Sequence, residues 1–176
     1  ENDPVIEMLQ KEDVDFVTIG KPADGQKWLY VDNDNRKAGF DGTNFLMDHY
    51  HCQHPVFVQT HNNWPYEIDR REGYQKAIDE AGKSPVFLST HENDDASEDD
   101  FIRSNPQMDG IVAIDDYSGL QMYHRYKMIN PDKNIEVLGY NNSLPSELTD
   151  QHFHSVDIHP AEMGQSAVKL LLDKPA

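Results

Sequence analysis

Seven short apolar runs recur along the chain, and segments with helical spacing of apolar residues lie between them. Runs of this length suit buried strands, and strands that alternate with helices are typical of parallel sheets covered by helices on both faces. The sequence therefore predicts an α/β fold with parallel sheets. The runs are Phe16–Gly20, Leu29–Val31, Pro55–Val58, Pro85–Ser89, Ile111–Ile114, Ile135–Tyr140 and Phe153–Ile158.

Local signals place the helices between these runs. Asp3 followed by Pro4 predicts a helix start, and Gly82 predicts a helix end. Ser97 with Asp100 forms an acidic variant of a capping box, which predicts a helix beginning at Ser97. The other predicted helices follow the Asp/Asn run at 32–35 and cover Tyr66–Ala81, Tyr117–Met128 and Ala161–Asp173.

Composition excludes several classes of partner. The 176 residues are enough for one sizeable domain or two small lobes, and the formal net charge of −17 disfavours contact with DNA or anionic lipid through this segment. Cys52 is the single cysteine, so an internal disulfide is excluded, and a reducing cytoplasm fits. No apolar run is long enough to span a bilayer, so no membrane partner is expected.

Polar residues follow three of the predicted strands. They are the run Asp32–Asn35, the pair Asp115 and Asp116, and the pair Asn141 and Asn142. Parallel α/β sheets place their ligand sites at the carboxyl ends of strands. The pattern predicts a binding domain whose polar cluster is assembled from several strand ends.

An ordered set of motifs resembles the effector-binding core of the lactose/galactose-repressor family of bacterial transcription factors. Within that family, the segments before residue 36 are most similar to maltose-operon repressors of Gram-positive bacteria. The resemblance covers essentially the whole chain. The motifs are Gly20-Lys21-Pro22, Val31–Asn35, Ala38-Gly39, Arg70-x-x-Gly73-Tyr74, Asp109–Ala113, Leu138-Gly139-Tyr140 and Ser155–Ile158 through Gly164.

The resemblance implies a periplasmic-binding-protein type I fold, with two Rossmann-like lobes and a sugar in the cleft. It assigns residues 1–31 to a partial, incomplete N-terminal lobe, 32–157 to the C-terminal lobe and 158–176 to the return into the N-terminal lobe. The family's DNA-binding helix-turn-helix is absent, so the chain is expected to be a fragment of a longer cytoplasmic repressor. Operator DNA would be bound through that missing part. A homodimer is expected, and no cofactor.

Arg70 matches the sugar-binding arginine of the family. A guanidinium suits vicinal hydroxyls because its donors are planar and fixed. The alternative is an exposed helix arginine paired with Glu67 or Glu72.

Asp115 stands where the family usually has Asn, Asp116 where it has Asp, and Asn141 where an Asp is usual. The resemblance makes Asp115 and Asn141 sugar ligands whose exchanged types alter the preferred hydroxyls. The alternative is that Asp115 or Asp116 caps the helix that begins near Tyr117.

Three further residues are candidate sugar ligands. Trp64 and Tyr66 offer aromatic faces to sugar C–H surfaces, or else merely cover the start of a helix. Lys21 lies beyond a strand end and would donate across the cleft, or else is solvated at the surface.

Neither metal binding nor catalysis is predicted. The spacing of His49, His51, His54 and His61 fits no closed zinc set, and the acidic stretch 92–100 lacks the glycine and terminal glutamate of a calcium loop. That stretch is interpreted as a solvated helix start. The adjacent carboxylates of Asp115 and Asp116 should point apart, which is poor geometry for glycoside hydrolysis. The predicted function is a sugar-sensing repressor domain, and the alternative is a transport receptor of the same fold.

Overall fold

A computed structural model describes residues 3–23, 27–90, 95–144 and 148–173. They form two compact units: one contains the described residues up to Asn33 and those from His159 onward, and the other is Asp34–Ile158. The elements in chain order are α1 (Pro4–Lys11), β1 (Val17–Ile19), β2 (Leu29–Val31), α2 (Asn35–His49), β3 (Pro55–Gln59), α3 (Pro65–Glu80), β4 (Phe87–Ser89), α4 (Asp95–Ser104), β5 (Gly110–Ala113), α5 (Asp116–Ile129), β6 (Glu136–Tyr140), β7 (Phe153–Val156) and α6 (Pro160–Leu172).

The first unit is a two-stranded parallel sheet with two helices. Strand β1 pairs with β2 from Val17 opposite Leu29 to Ile19 opposite Val31, and α6 packs on both strands. Neither α1 nor α6 contains a buried residue. This unit therefore leaves much of its apolar surface exposed.

The second unit contains a five-stranded, all-parallel sheet in the order β4-β3-β5-β6-β7. Alternate strand residues build two cores because successive side chains point to opposite faces. Val56, Ile111 and Val137 pack with α4 and α5 on one face, whereas Phe57 and Leu138 pack with α2 and α3 on the other. The prediction of parallel strands with helices on both faces is confirmed.

Every predicted strand and helix is present, with small shifts at the ends. The predicted start of α4 at Ser97 is wrong, because Asp95 and Ala96 are already helical and Ser97 lies inside the helix. Residues 92–94 of the acidic stretch lie outside the described residues. The end of α3 is as predicted, since Gly82 takes a φ of +68° just beyond it.

Candidate functional site

Helices α2 and α3 touch along their backbones, and this contact sets the position of Arg70. A Cβ atom at Gly39 would overlap the carbonyl oxygen of Arg70, and one at Gly73 would overlap that of Arg36. Because both positions are glycine, the helices approach closely enough for Arg70 to reach Asn35 at the start of α2.

The Arg70 side chain is buried at the carboxyl edge of the five-stranded sheet, with 5% of the residue exposed. Its Nε donates to Oδ1 of Asn35 at 2.9 Å, and its Nη1 donates to the carbonyl of Ile114, just past β5. The guanidinium carbon lies 4.1 Å from the centroid of the Tyr140 ring and 5.1 Å from that of Tyr66. Stacking of this kind stabilises a desolvated cation. The alternative of an exposed helix arginine is therefore wrong.

Glu67 lies one turn before Arg70 and is also buried, with 4% exposed. The Thr60 hydroxyl lies 2.8 and 3.0 Å from its two carboxylate oxygens, and Tyr66 is a further hydrogen-bond partner. Burial, and then the negative charge of Asp115, raise the pKa of Glu67 against the hydrogen bond from Thr60. Burial also raises the pKa of Tyr66, and the charges of Glu67 and Asp115 add to this. These side chains therefore share one neighbourhood.

This neighbourhood coincides with the switch point of the sheet. The chain passes from β3 to β4 on one side, and β5 then pairs with β3 on the other side. Thr60 directly follows β3, and Asp115 lies two residues past β5. Open α/β sheets bind ligands outside the strand ends at such a point.

The neighbouring carboxylates of Asp115 and Asp116 turn to different partners. Oδ1 of Asp115 accepts from the backbone N–H of Ser118 at 2.7 Å and so caps α5. Asp116 is 1% exposed and accepts from the Ser143 N–H at 2.7 Å and from the Ser155 hydroxyl at 2.5 Å. The capping alternative for Asp115 and the predicted divergence of the pair are both confirmed.

The remaining predicted residues are Asn141 and Trp64 of the second unit and Lys21 of the first. Asn141 follows β6 with a φ of 98°, and its backbone N–H donates to the Val156 carbonyl at 2.9 Å. Trp64 begins α3 and is 55% exposed. Lys21 belongs to the first unit, where its backbone N–H donates to Asp32 at 2.8 Å.

Arg70, Tyr66 and Asp115 are thus brought together, and Asn141 lies at a neighbouring strand end. Sequence reasoning missed Glu67 as a member of this group. A signal was available, because Glu67 precedes Arg70 by three residues on one helix and residues at that spacing share a face.

The group of Arg70, Tyr66, Glu67 and Asp115 combines the kinds of contact by which proteins bind sugars. A guanidinium donates, carboxylates accept, and aromatic rings offer apolar faces. Within the described ranges, no three side chains among His, Cys, Asp and Glu come together as metal ligands. In the same ranges, every helix is too short or too polar to cross a membrane.

Comparisons with known proteins identify the family and the fold. A family model described as a periplasmic binding protein-like domain matches residues 46–174. The chain is 24% identical to the HTH-type transcriptional regulator MalR of Staphylococcus xylosus, over 96% of this chain and 51% of that protein. It therefore spans about half the length of the curated relatives it matches.

Two solved structures share the fold. The probable maltose operon transcriptional repressor malR from Staphylococcus aureus superposes with a TM-score of 0.83 at 22% identity, covering 98% of this chain and 64% of that one. The complex of the transcriptional regulator CelR with cellobiose gives a TM-score of 0.81 at 23% identity, covering 98% and 56%. The predicted resemblance to the lactose/galactose-repressor family and the predicted fold are confirmed.

Proposed function

We propose that this chain, which belongs to the family of periplasmic binding protein-like domains, is the effector-binding part of a transcriptional repressor that senses a sugar. The observation that carries the proposal is the buried guanidinium of Arg70 at the switch point of a parallel sheet, beside Asp115 and Tyr66. The names of the relatives point to maltose or a related glucose disaccharide as the effector.

The proposed sugar ligands are Arg70, Asp115, Asn141, Trp64 and Tyr66 of the second unit, and Lys21 of the first. Residues 1–31 and 158–176 form part of the N-terminal lobe in this proposal, and 32–157 the C-terminal lobe. The exposed apolar side chains of the first unit support this division. They include Val5, Met8, Ile19, Val168 and Leu172, which further parts of the same lobe would cover.

The regulatory step is a shift between two conformations. A sugar that binds one conformation more tightly changes the population of both, and the gain equals its differential affinity. In a cytoplasmic homodimer, that shift would alter the operator affinity of a DNA-binding part outside this sequence. No reaction is proposed, because the relatives that the chain matches are named as transcriptional regulators.

Titration of the full-length protein with maltose tests the proposal through Arg70. Arg70→Ala should abolish measurable maltose binding, and it should also lower stability by about 3 kcal/mol because Asn35 and the Ile114 carbonyl lose their partner. Arg70→Lys keeps the charge but not the planar fork, so calorimetry should show affinity reduced at least about tenfold in a folded protein.

Arg71→Ala is the matched control. Arg71 is the next residue on α3, and its Nη1 lies 3.4 Å from both Gln59 and Asn63. Its charge acts on Glu67, but its loss should leave the hydrogen bonds of Arg70 in place. A folded Arg70→Lys protein with wild-type maltose affinity would refute the site. Absence of binding by wild type across a disaccharide panel would refute the function.

A further inference from the structure

A cavity of about 340 Å³ opens at the amino edge of the five-stranded sheet, where β4, β3 and β5 begin side by side. Its lining residues come from the end of α3, from the segments that precede these three strands, and from the first residues of β3. The volume is at the lower end of the range for small-molecule sites. This amino-edge cavity lies at the opposite end of the strands from Arg70.

The inner wall of the amino-edge cavity is apolar and belongs to the packed core. Val56, Ile78 and Met108 are buried residues that line it. The Tyr74 hydroxyl fixes the strand starts beside them, because it lies 2.9 Å from the carbonyl oxygen of Pro55 and accepts from the Val86 N–H at 3.0 Å. The wall is therefore already formed, and it suits an apolar ring or a branched chain.

The rim of the amino-edge cavity is cationic. Nζ of Lys83 donates to the carbonyl oxygen of Gln53 at 3.0 Å and to its Oε1 at 2.8 Å. Across the rim, Nζ of Lys133 donates to the carbonyl of Pro106 at 3.2 Å, beside the lining residue Gln107. Among the described residues, neither lysine forms an ion pair and no carboxylate lines the cavity. This is unusual in a chain with a net charge of −17.

The carboxylates of the surrounding surface are engaged elsewhere. Asp109 accepts from the backbone N–H groups of Gln53 and His54 at 2.6 and 2.8 Å, and it is not a lining residue. A second cavity, of about 330 Å³, also includes Lys83, but it contains Asp48 and Glu80 as well. Two carboxylates disfavour an anion there, so the charge pattern directs an anion to the first cavity.

We infer that the amino-edge cavity is a second ligand site, which takes a small organic carboxylate with an apolar body. The body would pack on Val56, Ile78 and Met108, and the carboxylate would accept from Lys83. An ammonium has three N–H donors and Gln53 uses two of them, so one donor is left for a ligand. The inference goes beyond sugar sensing and does not depend on it, because it uses none of the proposed sugar ligands.

Ligand-observed NMR titration of the full-length protein at low ionic strength tests the site. Hydrocinnamate joins a phenyl ring to a carboxylate and should bind with a Kd of about 1 mM or tighter. Hydrocinnamyl alcohol has the same body without the charge and should bind at least about threefold more weakly. Acetate has the charge without the body and should show no saturation.

Two variants alter the rim from different segments. Lys83→Met keeps an unbranched apolar side chain and removes the charge, and Gln107→Glu adds a carboxylate at an exposed position. Each should weaken hydrocinnamate about three- to fivefold and leave the affinity for the alcohol unchanged. Lys83→Arg keeps the charge and should bind hydrocinnamate as wild type does.

Lys11→Met is the matched control, because it removes the same charge from an exposed position on α1, in the first unit. It should leave the affinities for both probes unchanged. Gln107→Glu keeps the test decisive if Lys83→Met disturbs the loop at Gln53.

A loss of hydrocinnamate affinity confined to Lys83→Met and Gln107→Glu supports the site. Three outcomes overturn it: no binding of hydrocinnamate by wild type, an equal loss in Lys11→Met, or wild-type affinity in both rim variants. Each of these outcomes leaves the proposed sugar-sensing function intact, because maltose binding is tested through Arg70.

Discussion

The two edges of the five-stranded sheet treat polar side chains in opposite ways. At the carboxyl edge, Arg70, Glu67 and Asp116 are at most 5% exposed, and Arg70 and Asp116 are bonded to groups that are distant in sequence. At the amino edge, Asp109 accepts from two exposed backbone N–H groups. Glu136 lies there between two histidine rings, with its side chain 14% exposed.

The polar side chains at the two edges therefore differ in how much their stability depends on protein partners. At the amino edge, the N–H groups bonded to Asp109 are exposed, so water replaces that carboxylate at little cost. Carboxyl-edge groups are enclosed, and each depends on its partners because a buried polar group without a partner is expensive.

Adding one methyl group at each edge, by Gly73→Ala and by Gly110→Ala, should give the largest difference in stability between the two edges. Gly73→Ala forces a Cβ atom into the Arg36 carbonyl and the Phe40 amide, both backbone groups that cannot move aside. We expect a loss of about 3 kcal/mol, or roughly 6–12 °C in melting temperature, by differential scanning calorimetry. Gly110→Ala at the amino edge meets the Pro55 side chain at 3.1 Å, so about 1 kcal/mol is expected.

Gly164→Ala in α6 is the control for helix propensity, because among the described residues no atom outside the adjoining backbone of α6 lies within 4 Å of the added Cβ. It should raise stability slightly, by about 0.5–1 kcal/mol. Equal losses of unfolding free energy for Gly73→Ala and Gly110→Ala would show that the backbone contact between α2 and α3 does not limit stability more than the packing at Gly110.

Removing one carboxylate from each edge should give an intermediate contrast. Asp116→Ala leaves Ser143 and Ser155 without their buried acceptor, so we expect a loss of about 2–3 kcal/mol in urea unfolding. Asp109→Ala frees the N–H groups of Gln53 and His54, which lie 2.6 and 2.8 Å from it but are exposed to water. We expect Asp109→Ala to lose about 1 kcal/mol. A larger loss for Asp109→Ala than for Asp116→Ala would contradict the proposed difference between the two edges.

The smallest effect is a pH dependence at Glu67. Because the folded pKa of Glu67 is raised by burial, its favourable contribution is complete below the ordinary pKa of a glutamate and is lost as pH rises through the folded value. Glu67→Gln resembles the protonated form at every pH. Its melting temperature relative to that of wild type should therefore increase from pH 4 to pH 8.

Glu80→Gln serves as the control, since Glu80 is exposed on the last turn of the same helix. A difference that stays flat for Glu67→Gln, or that rises equally for both variants, would show that Glu67 ionises as a surface glutamate does.

Much of the fold could be predicted from local pattern. Phe57 and Leu138 lie in short apolar runs, and such runs identify strands without reference to the rest of the chain. The sequence predicts Asp115 as a possible cap, because helix capping depends on neighbours within three residues. The start predicted at Ser97 is wrong because a capping motif inside a helix has the same local sequence as one at a helix start.

The burial of Arg70 and Glu67 could not be predicted from local sequence pattern. Arg70 and Glu67 have the composition of an exposed helix face, and their enclosure follows from partners elsewhere in the fold. Arg70 bonds to Asn35 and to the Ile114 carbonyl across 35 and 44 residues of sequence.

The sequence by itself determined which segments are strands and helices and which polar residues follow the strands, because these features depend on spacing along the chain. Only the tertiary structure decided that Arg70 is desolvated and that Glu67 and Asp115 share its neighbourhood. Desolvation and charge interaction depend on distance through space, and the strand order and the contact of α2 with α3 set that distance.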